Sequence, residues 1–294
     1  MSEIRLPAYG GQAVIEGVMM RGRQYYAIAM RDPENKIIIH QEALGGIYTS
    51  RLARIPFLRG LVMLWDALGL GIRALTISAN IQSGEDEKIE GPALFFTLLL
   101  SLGFGVGLFF LAPATVGQLS ENYLGLSAWW GNLIEGLVRL AVLVAYIGLV
   151  GLIPDIQRVF AYHGAEHKTI NAFEANVALT PENVAPFSLE HPRCGTAFLL
   201  TLVLISIVLF SALGPLPILW RLVSRIILLP LLAGLAYEYI RWTASHLSSP
   251  LVRWMIKPNL ALQRLTTREP SLDMLEVSIA AFNAMQMGEQ RLVT

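Results

Sequence analysis

Residues 92–112 read PALFFTLLLSLGFGVGLFFLA, an apolar run without one charged side chain. At about 1.5 Å rise per residue, a helix of this length covers the roughly 30 Å hydrocarbon core of a bilayer. Three later segments repeat the signal. Residues 133–153 carry Glu135 and Arg139 near their start, and residues 196–213 are uncharged. After the turn Gly214-Pro215-Leu216-Pro217, residues 218–240 carry Arg221 and Arg225 near their start. The bulk numbers agree: 54% of residues are hydrophobic and 15% charged, against roughly 25% charged in soluble domains. Mean hydropathy is +0.53. The reading is a mainly α membrane protein built on a four-helix transmembrane bundle.

The connections differ in charge. Arg and Lys are frequent before the first span and absent from residues 114–132. They return as Arg158, Lys168 and Arg193 in the connection 155–195, and as Arg253, Lys257, Arg264 and Arg268 in the tail. The positive-inside rule then places both termini and residues 155–195 in the cytoplasm, which an even number of spans permits. The opening MSEIRLPAYGG is not an apolar signal sequence, so the first span is expected to act as its own insertion signal. Residues 55–80 are apolar enough to suggest a fifth span. Arg59, Asp66 and Arg73 recur every seven residues, however, and share one helical face. That pattern fits an amphipathic helix lying in the interface.

Ahead of it, YYAIAMRD and KIIIHQE flank the turn Asp32-Pro33-Glu34-Asn35 and read as a β-hairpin. GGQAVIEGVMMRG predicts one or two further strands with tight turns. If AVIEGVMM is a strand, Val14, Glu16 and Val18 share a face, and Glu16 needs a partner or a ligand. The simpler reading is a structural hydrogen bond from Glu16 that holds a turn, with Arg21 as the expected partner. After Pro270, SLDMLEVSIAAFNAM predicts an amphipathic helix with Leu272, Leu275, Ile279 and Phe282 on one side. The organisation read this way is a cytoplasmic β-containing region (1–54) and an interfacial helix (55–80). A four-span bundle follows (92–241, with the cytoplasmic connection 155–195), and then a cytoplasmic helical tail (242–294).

Candidate chemistry concentrates in AYHGAEHKTI, residues 161–170, which holds two of the chain's five histidines. On a helix His163 and His167 lie one turn apart on one face, and two such imidazoles can reach one ion at about 2.0–2.1 Å. The order H-x-x-E-H is that of the inverted zinc peptidase motif, with Glu166 as general base. A divalent metal, zinc in the first place, is the expected cofactor. The competing reading is a polar surface helix whose histidines hydrogen-bond to neighbours. Zinc needs more protein ligands. Glu238, an ionisable group in an apolar stretch, is one candidate, with an ion pair to Arg241 or to another helix's arginine as its alternative. His191 is another. Glu174, His246 and the single cysteine, Cys194, are supporting candidates. Glu174 lies too far along a straight helix, and a lone cysteine is more often a buried apolar residue. With one cysteine no intramolecular disulfide is available. The zero net charge gives no case for a nucleic-acid partner.

GGQAVIEGVMMRG, IPFLRG, AYHGAEHKTINAFE, HPRCGTAF, YEYIRW and LQRLTTREP, in this order, resemble the YqhQ-like family of bacterial membrane proteins of unknown function. That family is usually labelled a predicted metal-dependent enzyme. The resemblance implies a multi-pass protein of the bacterial inner (cytoplasmic) membrane and names no substrate. Three functions are expected to compete. The first is a metal-dependent hydrolase acting on a membrane peptide, a lipid head group or a lipid-linked precursor. The second is a transporter or channel using Glu238, Arg139, Arg221 and Arg225. The third is a scaffold with a structural metal. A homo-oligomer is compatible with each.

Overall fold

The fold comes from a computed structural model, and the described residues are 9–45, 55–83 and 91–291, the side chains of Met63, Asp66 and Ala67 excepted. It is mostly helical, with one small sheet at the N-terminal end. Strands β1 (Gly10–Val14), β2 (Gly17–Arg21), β3 (Tyr25–Arg31) and β4 (Ile37–Ala43) form an antiparallel meander in chain order. The β3–β4 hairpin forms as expected. Its turn closes through the Asn35 amide to the Asp32 carbonyl at 2.9 Å, with Asn35 at φ +65°. Asparagine is one of the few residues that tolerates this region.

Of the two readings of Glu16, the turn is the one realised and the strand face is not. Val14 pairs directly with Gly17, so Ile15 and Glu16 are the two-residue turn of the β1–β2 hairpin, with Glu16 at φ +52°. Gly17 has no room for a side chain: an added Cβ would lie 2.3 Å from the Ala29 carbonyl oxygen.

Both faces of the sheet are covered, which period-two alternation makes possible. Val18, Met20, Ala27 and Ala29 point into a core with α5 (Pro154–Glu174) and α12 (Leu272–Arg291). Met19, Ile28 and Met30 point the other way, against Leu70 and Ala74 of α1 (Leu58–Ser83). Helix α12 matches the expected amphipathic helix, with Leu275, Ile279 and Phe282 buried, although Leu272 is 52% exposed. On α1, Arg59 pairs with Glu238 and Arg73 with Glu42, while Trp65, Leu68, Ile72 and Leu75 form an exposed apolar stripe. The side chain of Asp66, the third member of the expected polar face, lies outside the described residues.

Among the described residues, three helical segments are long and apolar enough to cross a membrane, or four if one bent pair is a single span. The first joins α2 (Gly91–Val106), one π-helical turn (Gly107–Leu111) and α3 (Ala112–Leu124). It therefore runs well past the expected end at residue 112. Pro113 has no N–H for the Phe109 carbonyl four residues back, and that carbonyl accepts instead from Arg139 Nε at 2.9 Å. The others are α4 (Ala128–Val150) and α7 (Gly195–Ala212). The bent pair is α8 (Ile218–Ile227) and α9 (Leu229–Ser245), with a 46° bend next to Pro230.

Three arginines of these segments are locked in ion pairs. Arg139 and Arg225 both meet the buried Glu135, and Arg221 meets Glu121. Short helices α6 (Pro181–Val184), α10 (Pro250–Met255) and α11 (Lys257–Thr266) complete the fold. Leu262 of α11 packs with α4 and α7 around Leu143 and Val203.

Candidate metal centre

Helix α5 starts at Pro154, whose missing N–H is harmless in a first turn, and ends where Asn176 turns to φ +56°. It lies on β1 and β2, pinned at the sheet's hairpin turn. Arg158 donates to both Glu16 oxygens at 2.5 and 2.6 Å, and the Tyr162 hydroxyl reaches Glu16 at 3.3 Å. Arg158, not Arg21, is thus the partner of Glu16. Its hydrogen bonds hold the Glu16 carboxyl below the usual carboxylate range.

On the opposite side of α5, His163 and His167 stack one turn apart, ring centroids 4.4 Å apart. Each imidazole is fixed by a backbone carbonyl. His163 Nδ1 meets the Thr266 oxygen at 2.8 Å, and His167 Nδ1 meets the Leu189 oxygen. A carbonyl can only accept, so Nδ1 carries a proton in both rings and Nε2 is the lone-pair nitrogen of each neutral imidazole. His163 Nε2 faces Cys194 Sγ at 3.2 Å. Cys194 caps α7, its sulfur accepting from the Thr196 amide at 3.4 Å. One donor atom each from His163, His167 and Cys194 lies within 4.8 Å of the others. No fourth His, Cys, Asp or Glu joins them among the described residues.

This donor set fits a zinc ion. Two imidazoles and a thiol are zinc-type ligands, close enough to be drawn onto bonds of about 2.0–2.3 Å. The backbone carbonyls on Nδ1 are the usual outer partners of metal-binding histidines. His167 Nε2 is buried and has no hydrogen-bond partner, a cost that an ion would remove.

The other expected site residues lie as follows. Glu238, expected from its place in an apolar stretch, does not join the group. It is bound by the Arg59 guanidinium, with Nε at 2.6 Å, and by the Phe57 amide at 3.2 Å. His191 is buried, its ring centred 5.8 Å from that of His167, and its Nε2 also lacks a hydrogen bond. Burial pushes its pKa down, so it is neutral at pH 7. Glu174 pairs with Arg193 and comes within 3.7 Å of His191, so it stands behind the cluster and not in it. His246 is at the exposed end of α9, bound to the Trp242 carbonyl at 2.8 Å, away from the group. Glu166 is buried on the β1 side of α5, where a Cβ on Gly11 would fall 2.8 Å from its Cγ. Burial raises its pKa to about 7, opposed by nearby His163.

Three supporting groups were not evident beforehand. Leu189 and Thr266 act only through their main-chain oxygens, which no side-chain pattern reports. Gln263 is fully buried and clamps the backbone of His191, accepting from its amide and donating to its carbonyl, both at 2.9 Å. The signal for it is a row of uncharged polar residues on one face of α11, Asn259, Gln263 and Thr266, all buried.

Residues 55–287 match a family described as "Protein of unknown function (DUF1385)". The chain is 34% identical over 296 residues to "Uncharacterized protein YqhQ" of Bacillus subtilis (strain 168), which covers 95% of this chain and 92% of the relative. No solved structure matches.

Proposed function

We propose a function for a chain that belongs to the DUF1385 family: a zinc-dependent hydrolase held at the cytoplasmic face of the bacterial inner membrane. The observation that carries it is the cluster His163, His167 and Cys194. It offers three protein donors with preset tautomers and no fourth among the described residues. Structural zinc sites close with four protein ligands, whereas catalytic ones keep a position open. Bound there, zinc supplies Lewis-acid activation of water.

The chain's own residues set the rest. Thr266 and Leu189 orient the two imidazoles, and Gln263 holds the loop that brings Cys194 to them. Glu166, buried against Gly11 of β1 and outside the donor group but within electrostatic reach of His163, is the carboxyl we assign to carry a proton. The membrane reading is supported by α2, which buries none of its residues although its exposed face is Phe95, Phe96, Leu99 and Leu100. The basic residues beside the cluster favour the cytoplasmic side.

The test is metal content by mass spectrometry on protein purified in detergent without chelators. Near-stoichiometric zinc is expected in wild type. It should be lost in His163→Ala and Cys194→Ala and kept in Glu166→Gln. Wild type without metal would overturn the proposal.

A further inference from the structure

A groove of about 450 Å³ opens between α7, α9 and the α10–α11 corner. Its walls include Leu204, Ile205, Val208 and Leu235, and its polar end is Thr201 with Asn259. Asn259 Nδ2 donates to Thr201 Oγ1 at 3.2 Å. The volume falls in the range of ligand sites, about 300–1,000 Å³.

The groove and the metal cluster share two helices. Thr201 lies seven residues after Cys194 on α7, which puts it on the same face about 10 Å further along. Asn259 lies seven residues before Thr266 on α11, again the same face, and the Thr266 carbonyl holds His163. The two helices therefore run antiparallel, with the cluster at one end of the pair and the apolar groove leading away from the other. Beside the groove, α10 exposes Trp254 (67%) and Leu251 (63%) next to Arg253 and Lys257. Aromatic and basic residues together mark the depth of a membrane–water boundary.

We infer that this groove holds one acyl chain of a membrane lipid and presents its polar head to His163, His167 and Cys194. The substrate class is then an amphiphile with a hydrocarbon tail and a hydrolysable head group. The inference rests on the metal reading above for the head group, and on the groove alone for the tail. About 10 Å separates the polar end of the groove from Cys194, and a head group has to cover that distance. The tail lies along Leu204 to Val208, in the helix that the fold makes available as a span.

The experiment reconstitutes the full chain in nanodiscs of phosphatidylglycerol and phosphatidylethanolamine. A small fraction of the lipid carries a diazirine at the end of one acyl chain. After illumination the label is mapped by peptide mass spectrometry, and zinc is measured on the same samples. The expected result is label concentrated on residues 204–209 and Tyr239, several-fold above Phe96 and Leu100 of α2. Ile205→Trp, which fills the groove, and Val208→Trp at its rim should each lower that label several-fold and leave zinc unchanged. Equal labelling of the groove and α2, or labelling unaffected by both variants, overturns the acyl groove. Concentrated labelling in wild type that holds no zinc overturns the head-group placement and the metal reading together, and leaves the tail site standing.

Discussion

Gly164 sits between the two histidines, where its helix propensity costs about 1 kcal/mol relative to alanine. The packing explains why it is there. A Cβ at this position would lie 2.2 Å from the Arg268 carbonyl oxygen and 2.8 Å from Leu189 Cδ2. The two segments that a methyl group would displace are those whose carbonyls, Thr266 and Leu189, orient His163 and His167. Gly164→Ala is therefore expected to cost about 1–3 kcal/mol in stability. It should also weaken zinc retention although no ligand has changed. Thermal unfolding beside a zinc-chelator competition reads both, and a variant unchanged in the two would refute the role. At this scale the sequence was informative only where spacing is local. His163 and His167 could be paired by eye, because four residues make one turn. Cys194, 27 residues beyond His167, is brought beside them only by the fold, and the ion pair read as the alternative for Glu238 is the one formed, with Arg59 as a partner that nothing in the chain announces.

Single elements carry two charge arrangements that respond differently to substitution. In α4, Glu135 is 1% exposed and accepts from Arg139 and from two nitrogens of Arg225. Glu135→Gln keeps the shape and strands two guanidiniums in an apolar bundle. The expected cost is about 3–5 kcal/mol, read as a large fall in the thermal midpoint in detergent. At the sheet's first turn, Glu16 and Arg158 are partly solvated, so their pair is worth only about 1 kcal/mol or less. The Glu16 carboxyl is depressed by Arg158, so the folded state binds fewer protons than the unfolded state in acid. Its contribution is fully present above the ordinary carboxylate pKa and is lost as pH falls through the depressed one. Glu16→Gln should thus lower stability slightly at neutral pH and flatten the acid limb of stability measured from about pH 7 down to pH 3. An unaltered acid limb would show that the turn is not anchored this way. The β3–β4 hairpin, α5 and α12 were readable as elements because period and turn residues are local. A turn held by a Glu16 hydrogen bond was readable as well, because glycines flank the apolar run, but its partner Arg158, 142 residues away, was not.

Across the whole molecule, residues from both ends of the chain build one core over α5. Phe282 of α12 is fully buried and stacks edge-on with Tyr9 at 5.3 Å and against Phe173 of α5 at 4.8 Å. Phe282→Ala is expected to cost about 3–5 kcal/mol and to loosen the seat of α5. Zinc retention should fall with it, although Phe282 contacts no ligand, and chelator competition together with the thermal midpoint measures this. Loss of stability with zinc affinity intact would separate that core from the site. The sequence by itself determined the helical class, the apolar segments long enough to cross a membrane, the hairpin and the His163–His167 pair. Each rests on composition or on a period of two or 3.6 residues, which neighbours along the chain express on their own. Only the tertiary structure decided that the sheet is covered on both faces, that Cys194 lies beside the two histidines while Glu238 is taken by Arg59, and that two main-chain carbonyls fix the imidazoles. Those are contacts between residues far apart in the chain or between side chains and backbone, and packing alone brings such groups together.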